Sequence, residues 1–213
     1  MDVESWHNHR AARSRRPQRT GTAPNGTLPI PNAIVFVPKG PVGSLPAGAT
    51  CERCGTILGA TPLVRTTNTA GAFTLAGVPA GTDVPLVVQI GKWRRQVVLP
   101  NVPACADSAV AASLTRLPRN RTEGDMPSIA VSTGGAGSLE CLLRKLGVAD
   151  TEFATPPSAA RVHLFAGFGG TDQFDAGVAG GVPFLPATSL WSSVPSLAPY
   201  DIVLPSRPRL VHR

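Results

Sequence analysis

Residues 66–88 read TTNTAGAFTLAGVPAGTDVPLVV, and this stretch decides the fold of the first half of the chain. The segment 68–71 is made of residues that favour a tight turn, and glycine, proline and aspartate break the chain again at 77–83. Between the two turns, Phe73 and Leu75 alternate with small or polar residues, which is the period of a strand packed on a core from one side. The alternation resumes at Val84, Leu86, Val88 and Ile90. The stretch therefore predicts a hairpin at 68–71 and a further strand after the second turn.

Two passages carry a family resemblance: PNGTLPIPNAIVFVP at 24–38 and TTNTAGAFTLAGVPAGTDVPLVVQIGKWRR at 66–95. They resemble the carboxypeptidase-regulatory-like domain, a small transthyretin-like (prealbumin-like) Greek-key β-sandwich. The family order of a valine-rich strand, a threonine-rich strand, an Asn-x-x-Gly turn, an aromatic-x-Leu strand and a Val-Pro-x-Gly turn is matched by residues 33–37, 66–71, Phe73, Leu75 and 78–81. The likeness covers residues 21–103. The segments CERCG, GKWRR and ECLLRK are also similar to those of uncharacterised multi-domain bacterial proteins of myxobacterial type.

This resemblance implies a non-catalytic domain that is secreted or displayed at the cell surface, with a protein or a polysaccharide as its partner. It does not imply carboxypeptidase activity, because the chain contains neither a His-x-x-Glu nor a His-Glu-x-x-His zinc-protease motif. We expect no cofactor and no metal.

Composition and charge agree with a turn-rich β protein. The chain has 213 residues, enough for one large or two small domains, and its 22 prolines and 22 glycines supply many turns. The formal net charge is +7. The excess of arginine lies mainly at the two ends, so we do not expect binding to nucleic acid.

Both ends of the chain are predicted to be disordered tails, residues 1–20 and 205–213. The first is rich in arginine without apolar periodicity, and the second is basic and broken by proline. The opening residues lack the apolar stretch of about 7 to 15 residues that a secretory signal needs, and they are too polar to span a membrane. From these ends we expect the chain to be a fragment of a longer extracellular protein.

The second half of the chain has a different pattern. Residues 104–127 read as a connector without sustained periodicity, with one helical turn at 109–114. Residues 128–204 then alternate short apolar strands, glycine-rich loops and helical segments, which predicts a partial α/β unit with parallel strands. The helix is predicted over 138–146, with Ser138 as its N-cap and Gly147 as its C-terminal stop. A second helix is predicted over 189–197.

Residues 161–170 and 197–204 weakly resemble the start of a class I glutamine-amidotransferase-like or ThuA-like flavodoxin-type domain. In such folds the catalytic group follows later in the chain, so no residue here inherits a catalytic role. The resemblance leaves an alternative function: a truncated α/β hydrolase or amidotransferase-like enzyme whose catalytic residues lie beyond this chain. The preferred interpretation is a non-catalytic structural or interaction module of a larger exported protein.

Four cysteines are candidates for disulfide bonds: Cys51, Cys54, Cys105 and Cys141. The C-x-x-C spacing of the first two also suits zinc, but a four-cysteine site would need a second close pair. A redox motif would need a preceding strand and a following helix, and loop residues flank this pair. Disulfides, with Cys51 bonded to Cys54, are favoured; free thiols and metal or redox use remain open.

The internal basic cluster Lys92, Trp93, Arg94 and Arg95 is the candidate ligand platform. A tryptophan face beside forked arginine donors suits a polyanion or a sugar. The alternative is a solvated strand end with a partly buried tryptophan.

Overall fold

The computed structural model of the chain describes residues 19–50, 63–135 and 139–206. These residues form mostly strands with a few short helices. The first part of the chain contributes an antiparallel sheet and the second part a parallel sheet. We call residues 19–50 and 63–127 the antiparallel region, and residues 128–135 and 139–206 the parallel region. The prediction of a mainly β chain that changes from antiparallel to α/β character is therefore confirmed at this level.

The antiparallel region contains six strands. They are β1 (Arg19–Thr20), β2 (Ile34–Val37), β3 (Leu63–Thr66), β4 (Ala72–Phe73), β5 (Gly81–Ile90) and β6 (Trp93–Val102). Four of them form a sheet in the order β3-β2-β5-β6, and β1 pairs separately with β4. All these pairings are antiparallel.

The predicted apolar alternation forms the core of this region. Phe73 and Leu75 are both buried in the same cluster as Val35, Leu86 and Val88. Because side chains alternate across a strand, the even-numbered residues of β5 face this cluster together. Through Phe73 of β4, this core also contacts the β1–β4 pair.

The turn at 68–71 was predicted correctly, but the hairpin was not. The Asn68 side chain accepts hydrogen bonds from the backbone N–H groups of Ala70 and Ala72, both at 2.9 Å, and Gly71 has a positive φ of 70°. However, β3 pairs with β2, whereas β4 pairs with β1. The turn therefore carries the chain from one sheet to the other, a choice that depends on residues distant in sequence.

The one-sided packing predicted around Phe73 and Leu75 is confirmed, since Thr74 and Ala76 are exposed, but β5 is covered on both faces. Val87 is completely buried on the opposite face of β5, in a second cluster with Ile34 and Phe36. Val42, from the segment that follows β2, packs against this cluster. The sheet is therefore covered on both faces, which explains why β2 is buried at all four positions.

The connector between the two regions is part of the core. Leu117 is 1% exposed and belongs to the same cluster as Phe73. One helical turn, α1 (Ala112–Thr115), precedes it, close to the predicted position. The Thr115 hydroxyl donates to the Thr20 carbonyl at 2.6 Å, which ties the connector to β1.

The parallel region contains five strands and three short helices. They are β7 (Ile129–Ser132), α2 (Leu139–Lys145), β8 (Phe153–Ala154), β9 (Val162–Ala166), β10 (Leu185–Pro186), α3 (Ala187–Leu190), α4 (Val194–Leu197) and β11 (Ile202–Pro205). The sheet order is β10-β9-β7-β11, with β8 also paired to β9, and every pairing is parallel.

The helices differ in detail from the predictions. Gly147 ends α2 with a φ of 97°, as predicted, and Leu142 within this helix is 46% exposed. The predicted helix at 189–197 is two helices, α3 and α4, separated at Trp191 by non-helical backbone. Ser138, the predicted N-cap, lies outside the described residues, as do most of the two predicted tails.

Candidate functional site

The predicted ligand platform at 92–95 is engaged inside the protein. The Lys92 ammonium forms an ion pair of 2.6 Å with Asp201, and it also donates to the Gly48 carbonyl. Asp201 in turn accepts the backbone N–H of Ser128 at 2.7 Å. The two charged side chains are only 17% and 13% exposed, so the pair is partly withdrawn from water.

The other three platform residues are engaged in the same way. Trp93 donates its indole N–H to the Pro118 carbonyl at 2.9 Å and packs against the cores of both regions. Arg94 is buried and pairs with Asp125 at 2.7 Å. Arg95 donates to the Ser113 carbonyl at 2.7 Å.

These four side chains therefore form a joint within the protein, and we call Lys92, Trp93, Arg94 and Arg95 the seam. The platform hypothesis needs side chains that are free to meet a ligand, whereas these donors already have acceptors on the connector and on the parallel region. The alternative is confirmed in that Trp93 is partly buried, but the strand end is not solvated, since Lys92 and Arg94 are largely buried. Sequence reasoning found the cluster but missed its role, because the acceptors lie 18 to 109 residues away along the chain.

A second polar cluster holds the connector in place next to the seam. Glu123 accepts two hydrogen bonds from Arg116, at 2.6 and 2.8 Å, and further bonds from the side chain and backbone N–H of Arg119. The Arg116 guanidinium, with a smaller contribution from Arg119, holds the pKa of Glu123 far below its usual range, against the opposing effect of burial. This carboxylate is thus satisfied within the protein.

A cavity of about 530 Å³ opens in the antiparallel region next to the carboxyl-terminal ends of β2 and β6. Its inner wall is apolar. The core residues in this wall are Val37, Phe73, Leu75, Leu86, Leu99 and Val102. A volume of this size falls in the range of small-molecule sites, roughly 300–1,000 Å³. The cavity is therefore large enough to hold a small molecule.

The outer wall of the cavity comes from the start of the connector. Cys105 and Asp107 lie there, and both are exposed. Cys105 has a φ of 53°, an uncommon conformation for a residue with a side chain. Asp107 is the single charged side chain among the described residues that line the cavity.

The sequence predicted the inner wall of this cavity but not the cavity itself. Phe73, Leu75 and Leu86 were expected in the core, whereas no residue of the connector was predicted to line a cavity. The missed signal is the change at residue 103, where apolar strand residues give way to the small and polar segment PACADS. Small residues cannot fill the space in front of the apolar wall.

The structure describes two of the four predicted disulfide cysteines, and it does not bond them to each other. Cys105 and Cys141 are exposed free thiols in the structure. Cys51 and Cys54 lie outside the described residues, so a bond between them stays a prediction.

The carboxyl edge of the parallel sheet carries two glycine-rich loops that pack against each other. The Thr133 hydroxyl, after β7, accepts the Gly167 N–H at 3.1 Å and donates to the Thr171 carbonyl at 2.7 Å. A Cβ atom added at Gly167 would collide with the Thr133 carbonyl, and one at Gly170 would collide with the Gly134 backbone. Close contact between the two loops therefore explains these glycines, and phosphate binding is not needed.

His163 lies at the other end of β9 from these loops. Its Nδ1 atom is 2.8 Å from the Tyr200 hydroxyl, and the two rings meet edge to face at 5.6 Å. Burial lowers the pKa of His163, opposed by the nearby backbone of Ser158, and burial raises the pKa of Tyr200. The pair is thus suited to a buried structural contact between neutral groups.

The described residues contain no group of three or more histidine, cysteine or acidic side chains arranged to hold a metal ion. Within the same part of the chain, every helix is too short or too polar to cross a bilayer. Comparison with protein-family models, with curated proteins and with solved structures found no match to this chain.

Proposed function

We propose that this chain is a non-catalytic binding module that takes up a small, largely apolar molecule in the cavity next to β2 and β6. The cavity of about 530 Å³, with buried Phe73, Leu75 and Leu86 in its wall, is the observation that carries the proposal. Moving an apolar molecule from water to such a wall is favourable by about 25 cal/mol for each Å² that is buried. A site of this kind binds without needing a reactive group.

Two further parts of the proposal rest on the family resemblance of residues 21–103. The first is a transthyretin-like Greek-key sandwich; the core shared by the four-stranded sheet and the β1–β4 pair supports it. The second is that the module belongs to a larger protein that is secreted or displayed at the cell surface. The seam gives no support to a polysaccharide partner at residues 92–95, because its donors are already bonded.

Binding of Nile red, a neutral dye whose emission rises in apolar surroundings, tests the proposed site. Val78 lines the cavity and is only partly buried, so Val78→Trp fills the space without breaking the centre of the core. We expect saturable binding to the unmodified chain and an affinity lower by about tenfold or more in Val78→Trp. Val98, which is 51% exposed on β6 and does not line the cavity, supplies the matched control Val98→Trp.

Two results would contradict the proposal. One is the absence of saturable dye binding by the folded chain. The other is equal loss of affinity in Val78→Trp and Val98→Trp, since that would place the dye elsewhere. Circular dichroism of each variant shows whether its fold is retained.

A second candidate function is that of an α/β enzyme, and the order β10-β9-β7-β11 favours it. The chain leaves β7 for β9 on one side and returns to β11 on the other, so a topological switch point lies between β7 and β11. Ligands of open α/β sheets bind outside the carboxyl ends of the strands at such points. The catalytic residues of such an enzyme are expected beyond this chain, so binding and not turnover is the test: saturable binding of glutamine to the purified chain, measured by calorimetry, would favour this function over the first.

A further inference from the structure

We propose that the ligand of the cavity is a cationic amphiphile: an apolar chain or ring system that ends in a protonated amine. This inference rests on the proposed function and adds the chemical class of the ligand. The apolar part would lie against the buried wall formed by Leu75, Leu86 and Leu99, and the amine would meet the Asp107 carboxylate at the exposed wall.

The charges around the cavity favour a cationic ligand. Asp107 is charged, and no lysine, arginine or histidine is among the described residues that line the cavity. Five other acidic side chains of the described residues are held in ion pairs, namely Asp125, Glu123, Glu152, Asp150 and Asp201. Asp107 has no ion-pair partner among the residues that the structure describes, so its charge is available to a ligand.

The net positive charge of the whole chain favours an anionic ligand, whereas Asp107 favours a cationic one. How strongly each charge acts depends on its distance from the ligand. A formal charge of +7 would by itself attract anions. Salt screens charges beyond about 8 Å at physiological ionic strength, so only charges close to the cavity act strongly on a ligand there. A carboxylate in the wall acts on a bound amine at contact distance, where the Coulomb attraction is strongest.

The composition of the cavity lining also favours an amphiphile over a fully apolar molecule. The inner wall is formed by core side chains, whereas the outer wall contains Cys105, Asp107 and Ser108. A fully apolar ligand would cover the Asp107 carboxylate without pairing it, and an unpaired charge taken from water is unfavourable. An amine at the end of the chain removes that penalty.

Displacement of Nile red by three ligands with the same ten-carbon chain tests the proposal: decylamine, decanol and decanoate. The amine is protonated at pH 7, like a lysine side chain with its pKa of about 10.4. We expect decylamine to bind about fivefold or more tightly than decanol, and decanoate to bind most weakly. The preference should shrink as salt is raised from 50 mM to about 500 mM, because screening weakens the ion pair.

Variants of Asp107 show whether this residue sets the preference. Asp107 is exposed, so Asp107→Asn should fold normally, and in it decylamine and decanol should bind about equally. Asp172→Asn is the matched control, since it changes the net charge equally at an exposed position in the parallel region. A preference for decylamine that persists in Asp107→Asn, or that falls equally in Asp172→Asn, would overturn the assignment.

The rate at which two cysteines are alkylated tests where the ligand binds. Cys105 lines the cavity and Cys141 lies on α2, and both are exposed free thiols. Decylamine should slow the alkylation of Cys105 by iodoacetamide and leave Cys141 unchanged, as measured by peptide-resolved mass spectrometry. Unchanged alkylation of Cys105 under saturating decylamine would overturn the site.

The possible failures are distinguishable. If all three ligands displace the dye with equal affinity and protect Cys105, the cavity binds apolar molecules and the cationic class is wrong. If the dye itself does not bind saturably, the proposed function and this inference fail together.

Discussion

Glu123 shows how a single acidic residue fixes an irregular segment. Its carboxylate receives bonds from two guanidinium groups and one backbone N–H, and together these hold residues 116–123 of the connector in one conformation. Hydrogen bonds to charged groups contribute more than neutral ones, about 1.5–3 kcal/mol each, although solvent screening reduces this where the partner is exposed, as Arg119 is. The same connector supplies Asp107 of the cavity wall.

The first prediction concerns the pH dependence of this contact. The pKa of Glu123 is lowered in the folded state, so its contribution is present above the carboxyl value of the unfolded chain, about 4.3, and is lost as the pH falls below it. We expect Glu123→Gln to lower the free energy of unfolding by about 1–2 kcal/mol at pH 7, and by much less at pH 3. Urea unfolding at both pH values measures the difference, and an equal loss at both would contradict the electrostatic cause.

At the scale of elements, close contact between the loops after β7 and β9 determines the carboxyl edge of the parallel sheet. Thr133 is buried, and its hydroxyl bonds to the backbone of both Gly167 and Thr171. A side chain at Gly167 has no space, because the Thr133 carbonyl occupies the position where the Cβ atom would stand. The glycines of this loop are therefore required by packing between two loops that are far apart in sequence.

The second prediction tests this contact with two glycine variants. Gly167→Ala should lower the free energy of unfolding by about 2–3 kcal/mol, the usual cost of overpacking a buried site. Gly43→Ala should change it by less than about 0.5 kcal/mol, because nothing lies within 4 Å of a Cβ atom there and its φ is not positive. Thermal or urea unfolding of both variants makes the comparison, and equal stability would show that the loops separate at little cost.

At the scale of the whole molecule, the seam joins the antiparallel and parallel regions. Trp93 packs against the cores of both, and Lys92 links the turn between β5 and β6 to the residue before β11. Inter-domain contacts within a chain are commonly more polar than cores, but here an aromatic residue and a partly buried ion pair combine. We infer that the two regions unfold together.

The third prediction addresses this coupling through Lys92 and Asp201. Removing one partner leaves a partly buried charge unpaired, so Lys92→Met should destabilise the chain by about 1–3 kcal/mol. In the double variant Lys92→Met with Asp201→Asn, the free energy of unfolding should fall by less than the sum of the decreases in the two single variants. We expect a coupling energy of about 1 kcal/mol or more. Urea unfolding followed by both tryptophan fluorescence and circular dichroism measures it. Additive losses, or separate transitions in the unmodified chain, would contradict a joint that couples the regions.

Several features followed from the sequence because their causes are local. The strand period around Phe73 and Leu75, the Asn68 turn and the Gly147 helix stop all depend on conformational preferences within a few residues. The strands of the parallel region were predictable in the same way, as continuous apolar runs between glycine-rich loops. These local signals located the longer strands and the change of character near residue 128, but not the two-residue strands β1, β8 and β10; β1 lies within the predicted disordered tail.

Tertiary structure alone decided how those segments meet. The pairing of β4 with β1, the burial of the second face of β5 and the partners of Lys92 and Arg94 all depend on residues remote in sequence. The cavity next to Asp107 has the same origin, because it lies between a strand wall and a connector that has no periodicity of its own. The alternation of apolar residues and the preferences of turn residues act between near neighbours in the chain. Ion pairs, shared cores and cavities form only when distant segments come together in space.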